Sequence, residues 1–164
     1  MDEPLYELSA ALGRKLERLG WRLALAESCT GGAIAKAVTD VPGSSAWFDR
    51  GFITYSNAAK VDMLDVSQAT LNAKGAVSEE TVLEMAEGAL ANSLADLALA
   101  VTGIAGPDGG TPEKPVGTVF VAWQLRGRPG YCVKQQFSGD RRAVRRQTVL
   151  FCLRQACRLA DDEK

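Results

Sequence analysis

Leu5, Leu8, Leu12, Leu16 and Leu19 return every three or four residues, so the spacing predicts an amphipathic helix over residues 4–19, closed by Gly20. An apolar run over 22–27 reads as the first strand, and a helical pattern follows over 30–39. Val41-Pro42-Gly43-Ser44-Ser45 is a turn, and Arg50 to Tyr55 reads as a second strand. Ser56-Asn57 is placed to cap a short helix running through Lys60 to Leu64, and a second short helix begins at Ser67. Ser78-Glu79-Glu80-Thr81 opens a longer helix to about Ser93, with acids in the first turn as the helix dipole prefers. Residues 96–102 read as a third strand, directly followed by the glycine-rich stretch Gly103 to Gly110. Strands over 116–124 and 130–137, joined by Arg126-Gly127-Arg128-Pro129-Gly130, form an antiparallel hairpin. Gly139-Asp140 starts a last helix from Arg141 to about Ala160, whose inner face is Val144, Leu150, Leu153, Ala156 and Leu159. The charged tail Asp161 to Lys164 is expected to be disordered.

Helices that interleave with strands one to three, then a hairpin, specify an α/β protein. The architecture is expected to be three layers, with helices on both faces of a mixed sheet of about five strands. Ligands of such sheets sit at the carboxyl ends of the parallel strands. Ser28, Tyr55 and Thr102 occupy those ends for strands one, two and three. Topology alone therefore marks them as a candidate site.

Composition narrows the class. The 164 residues suit one domain of ordinary size, taken as 1–164 without linker or repeat. A net charge of −1 gives no basic field for nucleic acid. No apolar run is long enough to span a bilayer, and the N-terminus lacks the layout of a signal peptide. The expectation is a cytoplasmic protein without nucleic-acid or membrane partners, its oligomeric state, homo-oligomers included, left open. The four cysteines, Cys29, Cys132, Cys152 and Cys157, form no Cys-x-x-Cys pair and have no histidine beside them, so no metal site is expected.

The chemistry gathers where the first strand ends. In Ala26-Glu27-Ser28-Cys29-Thr30-Gly31-Gly32 the apolar run stops at a hydroxyl, two glycines follow, and a helix begins. Such a strand–turn–helix lifts a hydroxyl off the sheet edge and turns main-chain N–H groups toward what it attacks. The chain contains no histidine, so the base for such a serine must come from elsewhere. Lys60, one turn into the helix after strand two, is the best candidate, because burial makes a neutral amine accessible and serine–lysine dyads are a known variant. Tyr55 is placed to orient Lys60 or relay its proton. The alternatives are a solvated lysine with a half-buried tyrosine, and a nucleophilic Cys29 whose pKa a helix N-terminus lowers.

Two glycine-rich turns, Thr30-Gly31-Gly32 and Gly103-Ile104-Ala105-Gly106, permit close approach of a ligand carbonyl or phosphate. Neither matches the Walker or dinucleotide fingerprint. Arg141, Arg142, Arg145 and Arg146 crowd the start of the last helix, against its dipole, and guanidinium forks suit phosphate or carboxylate. The plain readings are tight turns and a solvated helix face with Asp140 as partial compensation.

These motifs, with Gly43-Ser44-Ser45-Ala46-Trp47-Phe48, Gly51 to Asn57, Gly75-Ala76-Val77-Ser78, Thr102 to Pro107, Lys114 to Val119 and Phe137 to Arg141, together resemble the CinA C-terminal domain family over residues 5–160. The chain looks like its stand-alone form. The resemblance implies a three-layer α/β/α fold with one antiparallel strand. It implies hydrolysis of the carboxamide of nicotinamide mononucleotide to nicotinate mononucleotide and ammonia, without cofactor or metal. It implies Ser28 as nucleophile, Lys60 and Tyr55 assisting, and Thr102, where serine is frequent in the family, near the reacting group. Thr30, Gly31, Gly32, Gly103, Ala105, Gly106, Arg141, Arg142 and Arg145 are the expected substrate contacts. A nucleotide-binding regulatory module without chemistry is the alternative, and the lysine paired with the serine is what separates the two.

Overall fold

The computed structural model describes residues 2–163. Helix α1 (Glu3–Leu19) ends at Gly20 in a left-handed turn, φ 69°. It is followed by β1 (Leu23–Glu27), α2 (Ala33–Thr39), a 3₁₀ turn at Ser44–Ala46, β2 (Phe48–Ile53), α3 (Asn57–Leu64), α4 (Gln68–Lys74), α5 (Glu79–Ala91), β3 (Leu97–Gly103), β4 (Thr118–Leu125), β5 (Tyr131–Gln136) and α6 (Arg141–Asp162). The five strands form one sheet in the order β2-β1-β3-β4-β5. β2, β1 and β3 are parallel, β4 is antiparallel to β3, and β5 is antiparallel to β4, so β4 alone runs against the rest. The expected three-layer α/β/α fold with one antiparallel strand is what forms.

Strand alternation decides how the layers pack. In β1 and β3, Leu23, Leu25, Leu97, Leu99 and Val101 point into one core, with α1, α2 and α6 above them. Ala24, Ala26, Ala98 and Ala100 point to the opposite core, under α3, α4 and α5. Alanine keeps that face shallow, so α5 lies close against the sheet, while the leucine face takes side chains such as Leu12, Leu16, Ile34 and Leu153. Serines hold the helix starts. Ser56, Ser67 and Ser78 accept the amides of Ala59, Thr70 and Thr81, and Asp140 accepts that of Ala143 at the head of α6.

Three expectations shift. β2 ends at Ile53, so Tyr55 sits two residues beyond the strand, because the chain has already turned to reach the Ser56 cap. Residues 30–32 form the turn itself, and α2 begins only at Ala33. The tail is not disordered up to its end, since α6 continues to Asp162. Asp161 pairs with Lys15, and Arg128 reaches Glu163 at 2.6 Å, which ties the tail to α1 and to the β4–β5 hairpin. Lys164 lies outside the described residues. No helix among the described residues is long and apolar enough to cross a membrane.

Candidate active site

A cavity of about 290 Å³ opens at the carboxyl ends of β1 and β3. Ser28, Lys60, Tyr55, Thr102 and Arg141 all line it, with the loop residues Gly103, Ala105 and Gly106. Elements distant in the chain therefore converge as their punctuation suggests.

The turn that carries Ser28 is built from both sides. The Ser28 amide donates to Val101 O at 3.1 Å, continuing the ladder with β3, and the Gly31 amide closes back on Ser28 O at 3.0 Å. Gly31 and Gly32 have φ of 59° and 100°, which side-chain-bearing residues rarely adopt. Glu27 fixes the shape from beneath. Its carboxylate, 1% exposed, accepts the Thr30 hydroxyl at 2.6 Å and the Ile34 and Ala35 amides at 2.9 Å each. One buried carboxylate thus satisfies two of the orphan donors of α2 and binds the last strand residue to the first helical turn.

Lys60 extends from α3 to meet the serine. Its Nζ lies 3.0 Å from Ser28 Oγ, 2.8 Å from Thr54 O and 3.5 Å from Tyr55 O, and the residue is 1% exposed. Burial lowers its pKa below the ordinary lysine value, and only the nearby Cys29 sulfur works in the opposite direction. The main-chain carbonyls of Thr54 and Tyr55 thus hold the Lys60 amine against the Ser28 hydroxyl.

The remaining candidates fall into two groups. Thr102 lines the cavity and donates its hydroxyl to Ala76 O at 2.8 Å, holding the Ala76–Val77 wall. Arg141 donates to Gly106 O and to the Tyr55 hydroxyl, each at 2.8 Å, so the Tyr55 phenol is engaged with Arg141 rather than with Lys60. Only the Tyr55 carbonyl approaches the amine. Thr30, Gly31 and Gly32 do not line the cavity, because the Thr30 hydroxyl is spent on Glu27 and its carbonyl accepts from Arg145 at 3.0 Å. Arg142 and Arg145 lie in an adjacent groove beyond Arg141.

Cys29 also lines the cavity, but burial pushes its thiol up to about 11. Little thiolate forms near neutral pH, so the structure removes the low-pKa thiol. Asn57 and Asp108 line the cavity without having been singled out, since neither sits at a spacing that marks it in sequence. Glu27 was missed for another reason: an acid at a strand end reads as solvated, and its partners lie seven and eight residues onward.

The CinA C-terminal domain model matches residues 5–159. The chain belongs to the CinA C-terminal domain family. Among its relatives in the family, the nicotinamide-nucleotide amidohydrolase PncC of Enterobacter agglomerans is 57% identical over 96% of both chains. The protein of the same name from Escherichia coli strain K12 is 53% identical over 93% of this chain and 92% of that one. The crystal structure of the competence/damage inducible protein CihA from Agrobacterium tumefaciens superposes with a TM-score of 0.93 at 46% identity, covering 95% of each chain.

Proposed function

We propose that this enzyme hydrolyses the carboxamide of a nicotinamide nucleotide, nicotinamide mononucleotide above all, by a serine–lysine mechanism. The relatives named for that activity support the reaction. The observation that carries the mechanism is the 3.0 Å contact between Lys60 Nζ and Ser28 Oγ in a chain without histidine. A regulatory nucleotide binder has no need of a buried lysine held against a serine hydroxyl.

Neutral Lys60 takes the Ser28 hydroxyl proton as Oγ attacks the carboxamide carbon. The negative charge that develops on the carbonyl oxygen falls to main-chain N–H groups, and those of Ala105 and Gly106, on the cavity wall, have no main-chain acceptor of their own. The Lys60 ammonium then gives its proton to the departing nitrogen, the C–N bond breaks, and ammonia leaves an acyl-serine. Water attacks that ester while Lys60 accepts a proton from it. Return of the proton to Ser28 Oγ breaks the C–Oγ bond and releases the carboxylic acid, which ionises to the carboxylate by giving its proton to solvent. Thr102 shapes the wall beside the reacting group, and Tyr55 with Arg141 closes the mouth.

Ammonia release from purified protein with nicotinamide mononucleotide tests the reading. Stoichiometric appearance of nicotinate mononucleotide is the expected result. Tight binding of the nucleotide without ammonia release would give the site to the regulatory alternative.

A further inference from the structure

Glu27 ends the middle strand of the parallel set, with Ile53 of β2 on one side and Val101 of β3 on the other. It is 1% exposed and is not among the residues that line the cavity, so it does not meet the substrate. Both halves of the reacting pair are nevertheless tied to it.

The serine side is held by the carboxylate. Its bond from the Thr30 hydroxyl at 2.6 Å closes residues 27–30 from beneath. The Gly31 amide closes residues 28–31 onto Ser28 O, and the Ser28 amide is fixed to Val101 O. The bonds from the Ile34 and Ala35 amides anchor the same carboxylate to α2, so the turn cannot rock against the helix that follows it. The lysine side is held by the carbonyl of Glu27. It accepts the Thr54 amide at 2.9 Å, and Thr54 O in turn accepts Lys60 Nζ at 2.8 Å. One peptide bond therefore separates Glu27 from the nucleophile, and two hydrogen bonds through Thr54 separate it from the amine.

The carboxylate suits its place. Three donors converge on it, and an ionised carboxylate is acceptor-only on both oxygens. An amide of the same shape would turn an N–H toward one of those donors. Bonds to the charged group are also shorter and stronger than neutral ones.

We propose that Glu27 is the positioning residue of the reacting pair, its carboxylate setting Ser28 through the turn and its carbonyl setting Lys60 through Thr54. This rests on the amidase reading and adds to it a residue that acts through others. A misplacement of about an ångström is enough to cost a reaction two orders of magnitude, so a buried brace of this kind bears on kcat rather than on binding.

The test removes the carboxylate arm and leaves the main-chain arm in place. Glu27→Gln is expected to lower kcat for nicotinamide mononucleotide by about tenfold or more with KM little changed. Thr30→Val, which deletes the hydroxyl that the carboxylate binds, should lower kcat by less, and Thr30→Ser should restore it. The double variant Glu27→Gln/Thr30→Val should be no slower than Glu27→Gln alone, because both changes act along one path. The rise of kcat/KM with pH should keep its wild-type position in Glu27→Gln, since the amine is held through main-chain atoms. Crystal structures of the wild type and Glu27→Gln read the geometry without catalysis, and the Ser28 Oγ–Lys60 Nζ separation should open beyond about 3.2 Å in the variant. If Glu27→Gln fails to fold, the Thr30 variants decide. If wild-type protein does not hydrolyse the nucleotide, the amidase reading falls and the structural comparison still decides the role of Glu27. Full kcat in Glu27→Gln with only a lower melting temperature would make Glu27 a plain brace and overturn the proposal. Additive loss in the double variant, a displaced pH limb or an unmoved serine–lysine contact would overturn it as well.

Discussion

In the proposed mechanism Ser28 and Lys60 divide the chemistry between a hydroxyl and an amine held by the Thr54 and Tyr55 carbonyls. Ser28→Ala is expected to reduce turnover by a factor on the order of a thousand or more with the fold retained, as loss of a nucleophile does. Cys29→Ser should keep most activity, because that thiol is held protonated. Ammonia assays on the two variants check both statements, and the reverse pattern would return the thiol to the role. Lys60→Arg keeps the charge but has no accessible neutral form, so it should fail nearly as badly as Lys60→Ala. In the intact enzyme kcat/KM should rise with pH as Lys60 loses its proton, through an apparent pKa below the ordinary lysine value of 10.5. A pH profile flat in that range would leave Lys60 an electrostatic anchor. At this scale the sequence placed Ser28 just past β1, Lys60 within the helix after β2 and Thr102 at the end of β3, and all three line the cavity. It was silent at Glu27, whose function depends on where the α2 amides arrive in space.

Among the elements, α3 matters most, since it carries Lys60, and its placement depends on a glycine in its neighbour. A Cβ on Gly88 of α5 would lie 1.9 Å from Leu64 O at the end of α3, so the two helices approach as no larger residue allows. Gly88→Ala is expected to destabilise the protein by about 1–3 kcal/mol, the usual cost of overpacking. It should also lower kcat, by moving α3 and the amine with it. Urea titration read beside turnover checks this, and loss of stability with full kcat would show that α3 recovers its place. Element identities were most legible where Ser56, Ser67, Ser78 or Asp140 caps a helix start and where β1, β3 and β4 carry compact apolar runs. The boundaries at Tyr55 and Thr30 were not, because turn residues with strand or helix propensity yield to the register of the sheet.

For the whole molecule, the buried amine has a thermodynamic consequence. The folded state disfavours Lys60 ammonium, so the unfolded chain binds more protons between the lowered folded pKa and 10.5, and this group's contribution to stability rises with pH across that window. Burial raises Cys29 to about 11 and Cys132 to about 12, from an ordinary 9.0, so the unfolded thiols ionise first and stability falls as pH rises above 9. The two trends oppose each other at alkaline pH. Lys60→Met is therefore expected to be inactive yet to melt higher than wild type near neutrality, with the gap closing toward pH 10.5. Thermal melts across pH decide this, and a lower melting temperature at pH 7 would mean that the lost hydrogen bonds outweigh the relieved desolvation. At the same scale the reversed direction of β4 has an effect of its own. The chain leaves β3 at Gly103 and re-enters the sheet at Thr118 on the same rim, where Ile104 and Gly117–Thr118 close the base by N–H···O bonds of 2.9 and 2.8 Å. The segment between them is one loop, held where Gly106 O accepts from Arg141 and where Lys114 Nζ donates to Lys74 O and Val77 O. Ala105 and Gly106 place it on the cavity wall, so its sequence bears directly on what the cavity admits.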